Sequence, residues 1–189
     1  MRKTICAGLA LCLLAACGKA PQPAPHEAET HAQHEQAPVR DDEFNFTAHQ
    51  FVELFNDVAR TCGVPYRISA VEIRHGALHD YFQHTFPGGV SLTGSISKES
   101  GRVTSITALA SGANGNPDRE TMLEVSEVIV LATAPDMSRK KAAAMIADML
   151  DESRHSQETG RFPQRFFEHA RYVLRSDNGI GYWWIATPN

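Results

Sequence analysis

Val90, Leu92, Gly94 and Ile96 alternate without a break with Ser91, Thr93, Ser95 and Ser97. Successive side chains of a strand point to opposite faces, so this octet demands a sheet with one face in a core and the other in water. Antiparallel sheets meet that demand, whereas parallel sheets are usually covered on both faces. The neighbouring segments repeat the theme. Tyr66 to His75 carries Ile68 and Ala70 in one phase and Val71 and Ile73 in the other, which predicts a strand with a bulge near Ser69. Leu78, Phe82 and Phe86 share the next strand face with Asp80 and His84, and His79, Tyr81, Gln83 and Thr85 face the other way. Pro87-Gly88-Gly89 reads as a hairpin loop. Lys98-Glu99-Ser100-Gly101 turns the chain into Arg102 to Ala110 and completes a four-strand meander.

Helices flank this meander. Thr47 and Gln50 have the spacing of a capping box, and Phe46 with Phe51 that of a hydrophobic staple. Phe51, Leu54, Phe55, Val58 and Cys62 then recur at helical intervals until Gly63 and Pro65 stop the element. Cys62 falls on the apolar stripe, where a thiol packs as a small hydrophobe. Asn116-Pro117 predicts a second helix start, with Met122, Val125, Ile129 and Ala132 as its stripe and Leu123, Val130 and Leu131 widening it. Ser138 caps a third helix with Ala142, Met145, Ile146, Met149 and Leu150 inward. Arg139, Lys140 and Lys141 crowd its first turn against the helix dipole, as a solvated face or a cationic knob. Pro163 to His169 is ambiguous between strand and short helix.

Asp177-Asn178-Gly179-Ile180 is a strong hairpin signal. A two-residue loop at Asn178-Gly179 pairs Arg175 with Tyr182, Leu174 with Trp183, Val173 with Trp184 and Tyr172 with Ile185. Tyr172, Leu174, Trp183 and Ile185 then form the core face. The opposite face carries Arg171, Val173, Arg175, Tyr182 and Trp184, where arginines can lie over aromatic rings. The expected architecture is α+β: a helix, a four-strand antiparallel meander, two helices and a C-terminal hairpin in the same sheet, with about three helices packed on one side.

The first residues answer a different question. Arg2 and Lys3 precede an uncharged run from Ile5 to Ala16, the layout of a secretory signal. As a helix these residues rise roughly 18 Å against about 30 Å of hydrocarbon, too little to span. Leu14-Ala15-Ala16-Cys17 resembles the lipobox of bacterial lipoproteins, a likeness confined to about the first twenty residues. It implies cleavage after Ala16, acylation of Cys17 and a protein held on a bilayer by several acyl chains. Gly18 after the cysteine implies outer-membrane sorting, facing the periplasm. Residues 1–16 are thus read as signal peptide, 17–43 as lipidated cysteine and tether, and 44–189 as one α+β domain.

From Gly18 to Glu43 the chain is rich in Pro, Ala, Gln, Glu and His and holds no aromatic residue, so it cannot bury enough apolar surface to offset its ordering entropy. His26, His31 and His34 stand there among glutamates, a weak chelate for a transition metal or simply a solvated spacer. Loss of Arg2 and Lys3 lowers the basic count from 18 to 16 against 22 acids, a formal charge of −6. That balance argues against nucleic acid as a partner. Cys6 and Cys12 leave with the signal, so Cys62 stands alone in the domain and no intramolecular disulfide is expected.

Three classes of function are compatible with this reading. The favoured one is a protein-binding module, an inhibitor or immunity-type factor that uses Arg171, Arg175, Tyr182 and Trp184 on the hairpin's outer face. Tyr, Trp and Arg are enriched in binding hot spots, and an acidic domain suits a basic partner. The second is a structural or assembly accessory of the envelope. The third is a small-molecule binder or hydrolase using Asp80 and His84 in a sheet cavity lined by Tyr66, Tyr81 and Phe82. Four residues along a strand separate Asp80 from His84 by about 13 Å, too far for one to orient the other. No P-loop, dinucleotide fingerprint, nucleophile elbow or zinc-protease helix occurs, and no cofactor is expected.

Overall fold

Thr47 and Gln50 do start the first helix. The Thr47 backbone N–H donates to Gln50 Oε1 at 2.9 Å and the Gln50 N–H donates to Thr47 Oγ1 at 3.4 Å. Phe46 and Phe51 stack beside them with ring centroids 5.8 Å apart. The helix α1 (Ala48–Thr61) ends at Gly63, whose φ of +71° suits glycine. The computed structural model describes residues 39–111, 119–177 and 181–189. Cys17, His26, His31 and His34, the Asn116-Pro117 helix start and the Asn178-Gly179 turn lie outside the described residues.

Among the described residues, three helices pack with a six-stranded antiparallel sheet, the α+β class expected. The strands are β1 (Asp80–Thr85), β2 (Val90–Ile96), β3 (Val103–Ala110), β4 (Gln164–Phe167), β5 (Ala170–Asp177) and β6 (Gly181–Pro188). Their order is β1-β2-β3-β6-β5-β4, so the C-terminal hairpin joins the meander through β3 and β6. The other helices are α2 (Arg119–Thr133) and α3 (Arg139–Thr159). None of the described helices is long and apolar enough to cross a membrane.

The six strands are distributed differently from the expectation. Tyr66 to His75 is not a strand; its backbone pairs with β1 in one bridge, Arg74 to Tyr81. Its alternation reflects anchoring by local bonds: Asn56 receives the Ile68 N–H and donates to the Ile68 carbonyl, both at 2.9 Å. The meander therefore has three strands. The ambiguous stretch after Pro163 supplies the sixth, β4, which pairs with β5 from Gln164↔Val173 to Phe167↔Ala170.

The alternation in β2 is realised in full, with Val90, Leu92, Gly94 and Ile96 buried. Gly94 is required there because a Cβ would collide with the Phe82 ring on β1. Phe82 in turn lies 5.9 Å from Phe51, and Phe55 stacks on Phe86 at 5.6 Å, so aromatic rings join α1 to the sheet. Over β3, β5 and β6 the inner face carries Ala108, Ala110, Ala170 and Ala186, all fully buried. Small side chains there leave room for helices and for the large rings of Tyr172 and Trp184.

The fold also takes in the end of the stretch expected to be tether. Glu43 and Phe44 are buried, and the Phe44 N–H donates to the Val103 carbonyl at 2.8 Å. Arg40 reaches Glu99 at 2.5 Å. Two phenylalanines anchor the segment, Phe44 stacking on Phe46 at 5.0 Å.

Candidate functional site

The helices leave one face of the sheet uncovered among the described residues, and its composition follows from strand register. One cross-strand row runs Thr85, Ser91, Leu109, Trp183, Arg175. The next runs Gln83, Thr93, Thr107, Ile185, Val173, Gln164. On β6, β5 and β4 a third brings Thr187, Arg171 and Phe166 together. The face therefore has two halves. Over β1 and β2 it is a carpet of hydroxyls, and over β6, β5 and β4 it is apolar and aromatic with two arginines.

In the second half, the Arg175 guanidinium lies 4.6 Å from the Phe162 ring centroid and 5.9 Å from that of Trp183. Leu109, Val173 and Ile185 are half-buried around this sandwich, and Phe166 is 56% exposed. Arg171 is fixed by its own strand pair, Nε donating to Thr187 Oγ1 at 3.2 Å. Among the described residues no salt bridge engages Arg171 or Arg175. Arg175 is exposed and lies against two rings, so its guanidinium is partly oriented while its donors stay available to a carboxylate.

The residues expected on this face are only partly there. Arg171 and Arg175 are on it. Trp184 is not: it is fully buried on the inner face, stacked on Tyr172 at 5.9 Å. Tyr182 also turns inward, half-buried beside Leu150, Met122 and Trp184 around a void of about 10 Å³. The reason is a shift of one residue. The observed register is Tyr172↔Ala186, Val173↔Ile185, Leu174↔Trp184 and Arg175↔Trp183, closing at Asp177↔Gly181 with three residues between rather than two. Because side chains alternate, that single step exchanges every residue of β6 between faces. Trp183 and Ile185 thus take the outer positions assigned to Tyr182 and Trp184. Phe162 and Phe166 were missed because their segment had no clear period, although strand reading of Gln164–Phe167 places Phe166 opposite Arg171.

The other candidates are accounted for by the fold. Asp80 and His84 do not meet. Asp80 Oδ2 pairs with His75 Nδ1 at 3.0 Å and its Oδ1 lies 3.7 Å from Lys98 Nζ. The hydrogen bond from His75 holds the Asp80 carboxyl below its usual range. His84 packs edge-on against Phe86 at 4.7 Å, and burial pushes its pKa down. Nor do Tyr66, Tyr81, Phe82 and His84 share a cavity. Tyr66 bonds Thr121 Oγ1 at 2.9 Å, Phe82 is core, and Tyr81 faces the other side of the sheet.

The basic turn of α3 is largely engaged within the fold. Arg139 Nε contacts Glu127 Oε1 at 2.5 Å and its Nη1 donates to the Cys62 carbonyl at 2.9 Å. Lys141 Nζ sits 4.1 Å over the Phe167 ring. Cys62 is half-buried, and desolvation pushes its thiol pKa up, away from the reactive thiolate. Compared with family models, curated proteins and solved structures, the chain finds no match.

Proposed function

We propose that this protein is a membrane-anchored periplasmic lipoprotein whose domain binds another protein, as an inhibitor or immunity-type factor, through the outer sheet face over β4, β5 and β6. The observation that carries this reading is exposed Arg175 over the rings of Phe162 and Trp183, beside half-buried Leu109, Val173 and Ile185. Aromatic rings and an arginine around an apolar centre are the composition of a binding hot spot. The local charge is positive although the chain is acidic overall, so the complementary surface is apolar with carboxylates opposite Arg171 and Arg175. Inhibition by occlusion needs no catalytic residue.

The anchor rests on the Leu14-to-Cys17 pattern. Both halves are tested in one design. Cells expressing the wild type, Cys17→Ala and Arg175→Ala/Trp183→Ala are labelled with palmitate, crosslinked in the envelope and analysed by mass spectrometry of the captured complexes. The expected result is palmitate on all but Cys17→Ala, and a stoichiometric protein partner that the folded double variant loses. Equal partner recovery by the double variant would remove the binding face, and palmitate on Cys17→Ala would remove the lipoprotein assignment.

A further inference from the structure

The sheet ends on two edges, β1 and β4. The first is bridged near its start: the Arg74 N–H donates to the Tyr81 carbonyl at 2.8 Å, and the Tyr81 N–H donates to the Arg74 carbonyl at 2.9 Å. Outside β4 no strand lies among the described residues. The Leu174 N–H donates to the Pro163 carbonyl at 3.1 Å, so these two residues form a hydrogen-bonded pair. Such pairs alternate along an antiparallel ladder; Arg165 and Phe167 therefore bond toward β5, while the backbone groups of Gln164 and Phe166 point outward. The Arg165 guanidinium donates to the Gln164 carbonyl at 3.0 Å. The Gln164 N–H and both backbone groups of Phe166 have no partner among the described residues. Unpaired groups along an edge are a template for a further strand.

Side chains say what such a strand would carry. Among the described residues the exposed phenylalanines are Phe162, at 39%, and Phe166, at 56%, both at this edge. Each has an arginine beside it on β5: Arg175 lies over the Phe162 ring at 4.6 Å, and Arg171 stands opposite Phe166 in the ladder. Neither arginine is in a salt bridge among the described residues. Apolar rings and two uncompensated cations thus line the outer side of the free edge.

We propose that the partner enters the outer face as a seventh strand, an extended acidic segment that pairs antiparallel with β4 and brings carboxylates to Arg171 and Arg175. This rests on the outer face being the binding surface. A residue of the added strand opposite Phe162 or Phe166 is two strand spacings, about 10 Å, from β5, a gap that a glutamate and an arginine side chain span together. Main-chain bonds to Gln164 and Phe166 supply affinity, and the alternate acidic side chains supply specificity. A second copy of this chain is the poorer occupant, because β4 against β4 adds two arginines to the face and neutralises none.

The test is an NMR titration of the isotope-labelled full chain in detergent with the acetylated and amidated heptapeptide Thr-Glu-Thr-Val-Thr-Glu-Thr, whose Glu, Val and Glu fall opposite Phe166, Gln164 and Phe162. Saturable binding is expected, with the Gln164 and Phe166 amide protons shifted downfield. Replacing both glutamates of the peptide with lysine should abolish saturation. N-methylation of its Glu, Val and Glu nitrogens removes the ladder donors and should weaken binding at least tenfold. The same change at the two inner threonines, whose N–H groups point away from β4, should alter it less than threefold. Arg171→Glu/Arg175→Glu, at two exposed positions, should prefer the lysine peptide. Strand addition is overturned if the acidic peptide does not saturate, if the lysine peptide binds the wild type as tightly, if the ladder-methylated peptide binds like the unmodified one, or if the charge-reversed variant still prefers acid. An acidic peptide that needs both arginines but tolerates ladder methylation would remove the strand and keep the face. A partner still captured by Arg175→Ala/Trp183→Ala would remove both.

Discussion

Tyr172 shows how one side chain ties the sheet to a helix and makes stability depend on pH. Its ring is fully buried, and its hydroxyl lies 2.8 Å from Thr133 Oγ1 at the end of α2. Thr133 spends its own proton on the Ile129 carbonyl at 2.8 Å, so the phenol is the donor in the tyrosine–threonine bond. Burial pushes the Tyr172 pKa up to about 12. The unfolded chain therefore releases this proton from about pH 10 while the native state keeps it. Native stability contributed here is intact below pH 10 and falls as pH rises toward 12, by on the order of 2 kcal/mol. Urea denaturation from pH 9 to 12 should show this decline in the wild type and a flatter profile in Tyr172→Phe. Parallel profiles would assign the decline to other groups. His84 acts in the opposite direction: burial lowers its pKa, so the native state resists the proton and stability is lost as pH falls below about 6.5. At this scale the sequence was readable where neighbours along the chain decide the outcome, as in the Thr47–Gln50 capping box. Tyr172 was legible as a core residue, whereas its bond to Thr133 and the inward turn of Trp184 were not, since these depend on distant elements.

At the scale of the element, the C-terminal hairpin carries the largest consequence of a small difference. Both phases of β6 contain a tryptophan, so hydrophobicity alone does not say which phase faces inward. What decides is the space on the inner face, where Ala186 leaves room beside Tyr172 and the helices, and Trp184 stacks into the layer. The two tryptophans should therefore respond differently to truncation. Trp184→Ala should cost roughly 3–5 kcal/mol of unfolding free energy. Trp183→Ala, on the open face, should cost about 1 kcal/mol or less and affect partner capture instead. Equal costs in urea denaturation would contradict the observed register. The same reasoning applies to Tyr66–His75, whose alternation resembles a strand but whose backbone is held by Asn56 and one bridge. Period predicts which residues share a face; it does not predict whether a neighbouring strand is there to pair with.

For the whole molecule, the entry segment decides where the domain begins. Glu43, Phe44 and Phe46 belong to the core, and the segment is stitched to β3 by the Phe44 N–H to the Val103 carbonyl and the Val103 N–H to the Phe46 carbonyl. A chain starting at Thr47 should lose roughly 4 kcal/mol or more against one starting at Val39, from two buried rings at about 2 kcal/mol each. Equal melting of the two would move the boundary back beyond Phe46. The sequence by itself determined the α+β class, the half-buried sheet, the caps of α1 and the arginines of the outer face. Each of these depends on spacing within one segment, where a period of 2 or 3.6 residues fixes which side chains travel together. Only the tertiary structure decided the register of the hairpin, the inward turn of Trp184 and the pairing of β4. These depend on what stands opposite each residue, and the space left between packed elements is not encoded in the periodicity of any one of them.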